Sequence, residues 1–481
     1  MENRNNDTIV MDEKDRKDLA RLKFYMPFSD FAGGASAAFM GTYMAFFYTN
    51  VYRFSVTLTT FITVATSLVT WIVTPVFAAV VDRTRFRNAR YWPWIFWGSL
   101  VVNVCAVLTM ALGAFGLRGS GLVILVFVLA LVRIVGEAVY YVPVAGCFPI
   151  LSRTPEDRQY FARAQKIARD GGKMIFGYLV PSLIVFCTGM FSGDELKGYA
   201  LTALLLGCFC FLGYALLSLA GLRGSYVERE GIRAVDEQMT EKTGLGTIIK
   251  AIFGNRQLLG MFFFMLFHKT YYFLYIYYAA YAFEYVFGNF TMMGTFMLLY
   301  NLSAIAGAFI GTWWGRLFRD SKRSMVAAFV CHTVMLGVTA VFFRRISPAV
   351  FLTLFSVSSL FMGMLENWIL PLFAAASDYG TWKTGVRNDN LTMSIYTLSI
   401  NAAIALVPLI GGVVLNRVHY TEWLQSGAAP SEEILSGISF LITWAPLILA
   451  AVCLVFLVFV FDLNDGRIAS IQAELAQREN R

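Results

Sequence analysis

Long apolar stretches, each separated from the next by a short polar segment, run along almost the whole chain. A helix needs about 20 predominantly apolar residues to cross a bilayer, because only bonds within the helix can satisfy its backbone there. The pattern therefore predicts an all-α polytopic membrane protein with twelve transmembrane helices. The predicted spans are residues 27–51, 57–81, 92–116, 120–146, 164–190, 198–222, 257–287, 290–314, 324–343, 349–377, 391–415 and 437–462.

Composition agrees with this pattern. Of the 481 residues, 58% are hydrophobic and only 15% are charged, which lies outside the range of soluble globular domains. The sequence has no Ser/His/Asp pattern, phosphate-binding loop or zinc-ligand spacing, so we do not expect an enzyme. Its seven cysteines lack metal or redox spacing and are interpreted as packing residues. We therefore expect no metal and no cofactor.

Lysine and arginine are distributed unevenly. The N-tail, the loops after even-numbered spans with the first turns that follow them, and the C-tail hold 31 of the 39 basic residues. Cytoplasmic loops retain positive charge, so both termini are predicted to be cytoplasmic. The net charge of +8 then reflects topology, and no nucleic-acid partner is expected. The opposite loops carry only Arg53, Arg118, Lys197, Arg344, Arg345 and Arg417.

The N-terminal residues lack the apolar core of a cleavable signal peptide, so the first span is expected to direct insertion into the cell membrane. A polar stretch between spans 6 and 7 divides the chain into two halves, which suggests a parallel repeat of two six-helix bundles. The predicted organisation is an N-tail (1–26), an N-terminal bundle (27–222), a central cytoplasmic loop (223–256), a C-terminal bundle (257–462) and a C-tail (463–481) that forms a short amphipathic helix. We expect a monomer.

A basic turn follows span 2, where Asp82 lies beside Arg83 and Arg85. These arginines could anchor the topology alone. They could also pair with helix ends of the opposite bundle and form a cytoplasmic latch that opens in each transport cycle. We expect both roles.

Two stretches resemble the glycoside-pentoside-hexuronide:cation symporter family. The first is AFFYTNVYRFS (45–55) followed by TPVFAAVVDRTRFRNARYWPW (74–94), and the second is SDYGTWKTGVRNDN (377–390). The resemblance implies a major facilitator fold and coupled uptake of sugars or glycosides. It also implies a cytoplasmic gate, whose residues here are Asp82, Arg83, Arg85, Asp378, Tyr379, Lys383 and Arg387.

The chain departs from the family at its functional carboxylates. The two span 2 carboxylates that ligate the coupling cation are replaced by Thr70 and Thr74, and a neutral hydroxyl cannot offset a desolvated charge. A sodium site is therefore not expected. The sugar-binding positions of the family also differ, and they correspond to Gly34, Tyr141, Gln165 and Asn401.

Other charges lie within the spans, where each is costly and is therefore a functional candidate. Asp30 precedes Gly34 by one helical turn, and Glu137 precedes Tyr141 by one turn. We predict a relocated substrate site, to which Asp30, Arg133, Glu137, Tyr141, Lys269, Tyr271, Tyr275 and Glu366 contribute. Alternatively, Arg133 and Glu137 form a structural pair within one helix, and Asp30 is a helix cap at the interface.

Span 7 is rich in tyrosine, whose flat face and hydroxyl suit a sugar ring. Tyr271, Tyr275 and Tyr278 share one helical face and are the candidates for such contacts, while an interfacial aromatic belt together with packing explains most of the other rings. His268 is either a packed residue or a proton carrier.

The sequence thus predicts a transporter of a sugar, glycoside or uronide, coupled to protons through Asp30 or Glu137 or not coupled at all. One alternative is a carrier of an amphipathic lipid, whose anionic headgroup Lys269 would bind. Another is a membrane sensor that binds a ligand without moving it.

Overall fold

The computed structural model describes residues 13–84, 91–151, 155–223, 253–385 and 389–479, and every regular element in these ranges is a helix. Eleven of the described helical segments are long and apolar enough to cross a membrane, judged by length and composition. They overlap eleven of the twelve predicted spans. The first predicted span lies in a helix that begins earlier, in polar residues at Glu13, and does not meet the same criterion. The count of twelve is therefore approximate.

Most of the described helices are long. In chain order they are α1 (Glu13–Phe46), α2 (Val56–Arg83), α3 (Trp92–Ala111), α4 (Gly119–Leu151), α5 (Pro155–Met190), α6 (Glu195–Arg223), α7 (Arg256–Tyr281), α8 (Met292–Phe318), α9 (Ser321–Phe342), α10 (Pro348–Thr384), α11 (Asp389–Arg417), α12 (Tyr420–Ser426), α13 (Glu432–Ile442), α14 (Trp444–Val455) and α15 (Asp465–Glu479). The last predicted span is broken at Thr443, between α13 and α14.

Local sequence signals set several helix ends. The side chain of Asn255 accepts hydrogen bonds from two backbone N–H groups of the first turn of α7. Asp320 caps α9 in the same way, and Ser347 caps α10 with Pro348 in the first turn. Gly385 ends α10 with φ 74°, a left-handed conformation that glycine adopts without strain.

The first compact unit, unit 1, comprises Met1–Phe39, Val69–Phe176 and Phe186–Thr240. Its core is centred on Trp92, which is completely buried at the start of α3. The Ser218 hydroxyl of α6 donates to the Trp92 carbonyl at 2.7 Å, and Gly221 leaves room for the indole ring. Small residues thus let α6 pack directly against α3.

The second compact unit, unit 2, comprises Met40–Leu68, Gly177–Val185 and Glu241–Arg481. Helix α7 lies at its centre, with buried side chains on most of its surface. Helices α8 and α10 cross closely at Gly307 and Gly363, where an added Cβ would overlap the backbone of the other helix. Backbone contact of this kind fixes α10, which carries Glu366, against α8.

Helices α1 and α7 end in the same unusual way. Each continues into a single π-helical turn, Phe47–Val51 after α1 and Ala282–Val286 after α7. A residue with positive φ follows each turn, Arg53 at 55° and Gly288 at 63°. These are the first helices of the two predicted halves, so the ends of both share one local structure. Helix α14 also ends in a π turn, Phe456–Val460, which Phe461 leaves with extended backbone.

Candidate functional site

A buried ion pair joins α1 to α5 in unit 1. Asp30 is 2% exposed, and its Oδ1 lies 2.6 Å from Nη2 of Arg169. Asp30 lies in the middle of α1, so it is not a helix cap. The side chain of Arg169 is 40% exposed, so the guanidinium is the accessible member of the pair. An arginine fixed by a carboxylate can donate its remaining N–H groups to hydroxyl oxygens of a ligand.

The packing of α1 on α5 explains why the family's span 1 carboxylate cannot occur here. A Cβ on Gly34 would lie 2.8 Å from the carbonyl oxygen of Arg169 and 2.9 Å from the backbone nitrogen of Lys173. Gly172 faces the backbone of Phe31 just as closely. The two helices approach through glycines, and the position that carries a sugar-binding carboxylate in the family has no space for a side chain.

A second pair lies on α4. Nη1 of Arg133 is 3.3 Å from Oε2 of Glu137, one turn further along the same helix. The Glu137 side chain is 48% exposed, and Tyr141, one turn beyond, is exposed as well. The structure thus brings Arg133 and Glu137 together, as both the site and the structural interpretation require.

Unit 2 contains a third pair. Nζ of Lys269 on α7 lies 3.1 Å from Oε1 of Glu366 on α10. The ammonium group also lies 5.3 Å from the centroid of the Tyr272 ring, which is a cation–π contact. The Glu366 side chain is 46% exposed, whereas that of Lys269 is 13% exposed. The two charges that the sequence assigned to the C-terminal half are therefore in direct contact.

The tyrosines of α7 lie inside unit 2. Tyr271, Tyr275 and Tyr278 share one helical face, as their spacing predicts, and all three are buried. Tyr275 packs edge-on against Phe355 with ring centroids 4.6 Å apart. In this conformation the aromatic ring beside Lys269 is that of Tyr272. Contact between Tyr271 or Tyr275 and a substrate stays a prediction.

The two threonines at the family's cation positions lie on α2. The Thr74 hydroxyl donates to the Thr70 carbonyl at 2.8 Å, within the helix. Among the described residues, no three His, Cys, Asp or Glu side chains form a group that could hold a metal ion.

The structure describes only some of the residues that the sequence predicts to form a cytoplasmic gate. Asp82 and Arg83 end α2, with side chains outside the described part of the chain, and Arg85 and Arg387 lie outside the described residues. Tyr379 and Trp382 are neighbours on α10, with ring centroids 5.8 Å apart. Lys383 is exposed in the last turn of α10.

Helix α15 contacts this signature motif, which the sequence did not predict. Gln472 donates to Asp378 at 3.0 Å, and the Trp382 indole N–H donates to Glu474 at 2.6 Å. Arg478 donates to the Trp382 carbonyl at 2.9 Å. The predicted C-tail helix is therefore held against the end of α10.

A polar cluster lies at the π turns. The side-chain amide oxygen of Asn50, Oδ1, accepts hydrogen bonds from the hydroxyls of Tyr285 and Tyr420, the latter at 2.7 Å. Thr49 bonds to the Tyr281 hydroxyl at 2.7 Å. Burial raises the pKa of Tyr420 well above its usual range, so its hydroxyl remains a donor. All of these residues belong to unit 2, and they connect the end of α1 to α7 and α12.

A model of the MFS/sugar transport protein family matches residues 27–465. The isoprimeverose transporter of Lactiplantibacillus pentosus is 22% identical over 446 residues, which cover 90% of this chain and 88% of that protein. The putative glycoside/cation symporter YagG of Escherichia coli (strain K12) is 24% identical over 444 residues, which cover 90% and 89%. The crystal structure of a D-xylose-proton symporter shares the fold, with a TM-score of 0.62, 12% identity and coverage of 92% and 98%.

The family match extends from α1 to the start of α15 and includes both motifs that carry the resemblance. The resemblance to the glycoside-pentoside-hexuronide symporters and the major facilitator fold are thereby confirmed, as is the expectation of a transporter. The chain belongs to the MFS/sugar transport protein family, and it is a multi-pass membrane transporter and not an enzyme.

Proposed function

We propose that this protein is a secondary transporter of a neutral sugar or glycoside, that it works by alternating access, and that it does not use sodium. The observation that carries the proposal is the charge balance of the three ion pairs. Asp30 is paired with Arg169, Arg133 with Glu137, and Lys269 with Glu366. Each pair offers donors and acceptors together and carries no net charge.

A sugar hydroxyl both donates and accepts hydrogen bonds, so a paired guanidinium and carboxylate suit it well. An anionic headgroup or a uronic acid requires an excess cation to offset its charge when it leaves water. Lys269 already holds Glu366, which argues against Lys269 as the partner of an anionic lipid. The charge balance therefore favours a neutral polyol over the lipid alternative and over a uronide.

The names of two relatives support the same class of substrate. One is an isoprimeverose transporter, and the other is a putative glycoside/cation symporter. The replacement of the cation carboxylates by Thr70 and Thr74 supports transport that is independent of sodium.

The distribution of lysine and arginine supports cytoplasmic termini and a location in the cell membrane. The polar stretch between spans 6 and 7 supports the predicted division into two bundles. In that topology the Asn50 cluster lies at the noncytoplasmic end, where it holds the end of α1 against α7 and α12. The contacts of α15 with Asp378 and Trp382 lie at the cytoplasmic end, beside the predicted gate.

Uptake by purified protein in liposomes tests the proposal. We expect uptake of labelled isoprimeverose or another neutral glycoside of a panel, at the same rate in sodium and in choline buffer. Arg169→Ala should abolish this uptake, whereas Arg118→Ala, in the loop before α4, should retain it. The panel also contains uronic and sulfonated sugars and a lysophospholipid.

Three outcomes would contradict the proposal. Uptake of the lysophospholipid alone would identify a lipid carrier, and uptake of acidic sugars alone would contradict the neutral substrate. Thermal stabilisation by a sugar without any uptake would identify a sensor, because a ligand that binds only the folded state stabilises it even when it is not transported.

A further inference from the structure

Two of the three histidines of the chain are buried in unit 2, and sugar binding as proposed above does not use them. His268 on α7 is completely buried, and neither of its ring nitrogens has a hydrogen-bond partner. Tyr271 lies between the two histidines, with ring centroids 5.3 Å from His268 and 5.6 Å from His332 of α9. The Tyr271 hydroxyl is also buried without a partner. Unsatisfied buried polar groups are costly, so a group of them calls for an explanation.

The hydrogen bonds of His332 fix its protonation. Its Nδ1 lies 2.9 Å from the carbonyl oxygen of Ser358 and 3.0 Å from the Ser358 hydroxyl. A carbonyl oxygen only accepts, so Nδ1 must carry the hydrogen. In neutral His332 the other nitrogen, Nε2, therefore presents a bare lone pair, and this atom is buried without a partner. The ring is held in the one tautomer that leaves Nε2 able to take up a proton.

The surroundings distinguish His332 from His268. If His332 becomes an imidazolium, Nδ1–H keeps its two oxygen acceptors, and the near-parallel rings of Tyr271 and Phe329 lie 5.6 and 5.7 Å away. Aromatic faces attract a cation. His268 has no acceptor and adjoins Lys269, whose positive charge opposes a second one. A proton entering this cluster is therefore best held on His332.

The other charged and titratable groups around the cluster come from five helices. They are Lys269 and Tyr275 of α7, Tyr300 of α8, Cys331 of α9, Glu366 of α10 and Cys453 of α14. Glu366 lies two helical turns beyond Ser358 on α10, or about 12 Å along the axis. A sugar that draws Lys269 away would weaken the compensation of the Glu366 charge by that ammonium group, and this negative charge favours a proton on His332.

The carboxylates Asp30 and Glu137 are less suitable as proton carriers. Each is paired with an arginine, and protonation of the carboxylate would leave that arginine charge without its partner. His332 has no such partner to lose.

We propose that Nε2 of His332 is the proton-binding site of this transporter, which makes it a proton-coupled carrier whose coupling site lies in unit 2. This inference rests on the proposed function. A hydronium ion on one side gives its proton to Nε2 and becomes water, and after the conformational change Nε2 gives the proton to water on the other side. Sugar and proton move in the same direction, since binding of one favours binding of the other.

The test measures proton movement in liposomes that contain a pH-sensitive dye, driven by an inward gradient of isoprimeverose or of the panel sugar with the highest uptake. Wild-type protein should acidify the interior. The variant His332→Asn keeps an N–H donor for the Ser358 carbonyl but cannot bind a proton. We expect at least a tenfold loss of acidification, while exchange of labelled sugar at equal concentrations on both sides changes less than threefold. His419→Asn, at the start of α12, is the matched control and should acidify like the wild type.

Sugar uptake without acidification in the wild type would overturn this inference and leave the proposed function intact. Acidification by His332→Asn at the wild-type rate would also overturn it. Absence of uptake of every sugar in the panel would instead contradict the proposed function, and the inference with it.

If His332→Asn fails to fold, nitrogen-15 NMR of the histidine-labelled wild type gives the second readout, since the chain has only three histidines. We expect His332 to hold its hydrogen on Nδ1 without sugar and to become an imidazolium at a higher pH when the sugar is bound. A His332 signal that does not change between pH 5 and pH 9, with or without the sugar, would contradict the inference.

Discussion

The ion pair of unit 1 and the ion pair of unit 2 differ in how firmly the surrounding helices hold them. Asp30 and Arg169 lie 2.6 Å apart where glycines bring α1 and α5 into backbone contact, and the carboxylate is buried. Lys269 and Glu366 lie 3.1 Å apart, and the carboxylate is about half exposed. A fixed pair orients a ligand, whereas a more exposed pair exchanges partners at less cost. We therefore expect unit 1 to control recognition and unit 2 to control coupling.

Removal of the arginine from the unit 1 pair should have the largest effect. Arg169→Ala leaves a buried carboxylate without its partner, which should cost about 3 kcal/mol of stability. Uptake should fall at least a hundredfold. The measurements are thermal unfolding of the purified protein and uptake in liposomes.

The double variant Asp30→Asn with Arg169→Ala separates the two effects. It removes the unpaired charge, so most of the stability should return while uptake remains lost. If uptake returned together with stability, the pair would be structural only.

Packing at the glycine contact gives the next largest effect. Gly34→Ala places a methyl group 2.8 Å from the Arg169 carbonyl oxygen and should cost about 2 kcal/mol, because the helices must separate. Gly41→Ala, on the same helix with nothing within 4 Å of the added carbon, should instead stabilise by up to about 1 kcal/mol. Equal melting temperatures for the two variants would contradict the close contact.

The Asn50 cluster belongs to unit 2 and tests whether the hydrogen bonds at the end of α1 are separable from the ion pairs. Asn50→Ala removes the acceptor for two tyrosine hydroxyls, one of them buried, and should destabilise the contact of the end of α1 with α7 and α12 by about 2 kcal/mol. The measurement is the labelling rate of a cysteine at Thr60, which packs against Gly412, and it should rise on the order of tenfold. Asn416→Ala, which removes only an exposed contact with Thr57, is the control and should change the rate less than twofold.

The unit 2 pair should give the smallest effect on stability. Lys269→Gln leaves Glu366 partly hydrated, so the cost should be at most about 1 kcal/mol. Because the glutamine still donates hydrogen bonds, KM for the sugar should rise about tenfold with little change in kcat. A loss of stability as large as that of Arg169→Ala would contradict the expected difference between the ion pairs of the two units.

Sequence reasoning predicted the features that depend on local spacing. The apolar spans give the helices, and the interval of four residues gives the Arg133–Glu137 pair. Asp30 was identified as a charge within a span, but its partner was not, because Arg169 is 139 residues away and no periodicity links them. A charge in span 5, one turn beyond the family position at Gln165, was the available signal.

The other features that the sequence did not predict are contacts between helices that lie far apart in the chain. The amphipathic pattern of the C-tail predicted helix α15 but not its contact with Trp382, since the hydrogen bonds involve polar side chains on both helices. The hydrophobic pattern also did not predict that Tyr271 and Tyr275 are buried. Helix α7 is covered on most sides, and its apolar and aromatic faces cannot be told apart by hydrophobicity.

The paired π turns affect how this chain is compared with its relatives. A π turn holds one residue more than an α turn, and that residue shifts the phase of the helical wheel by about 100° for everything that follows. Asn50 lies in one of these turns and Tyr285 in the other, and their side chains are in contact. Residues from Phe47 onward and from Ala282 onward are therefore assigned to the wrong side of the helix when an uninterrupted 3.6-residue period is used. Deletion of one residue from either turn should disrupt the contact that both turns create, even with every side chain of the cluster retained.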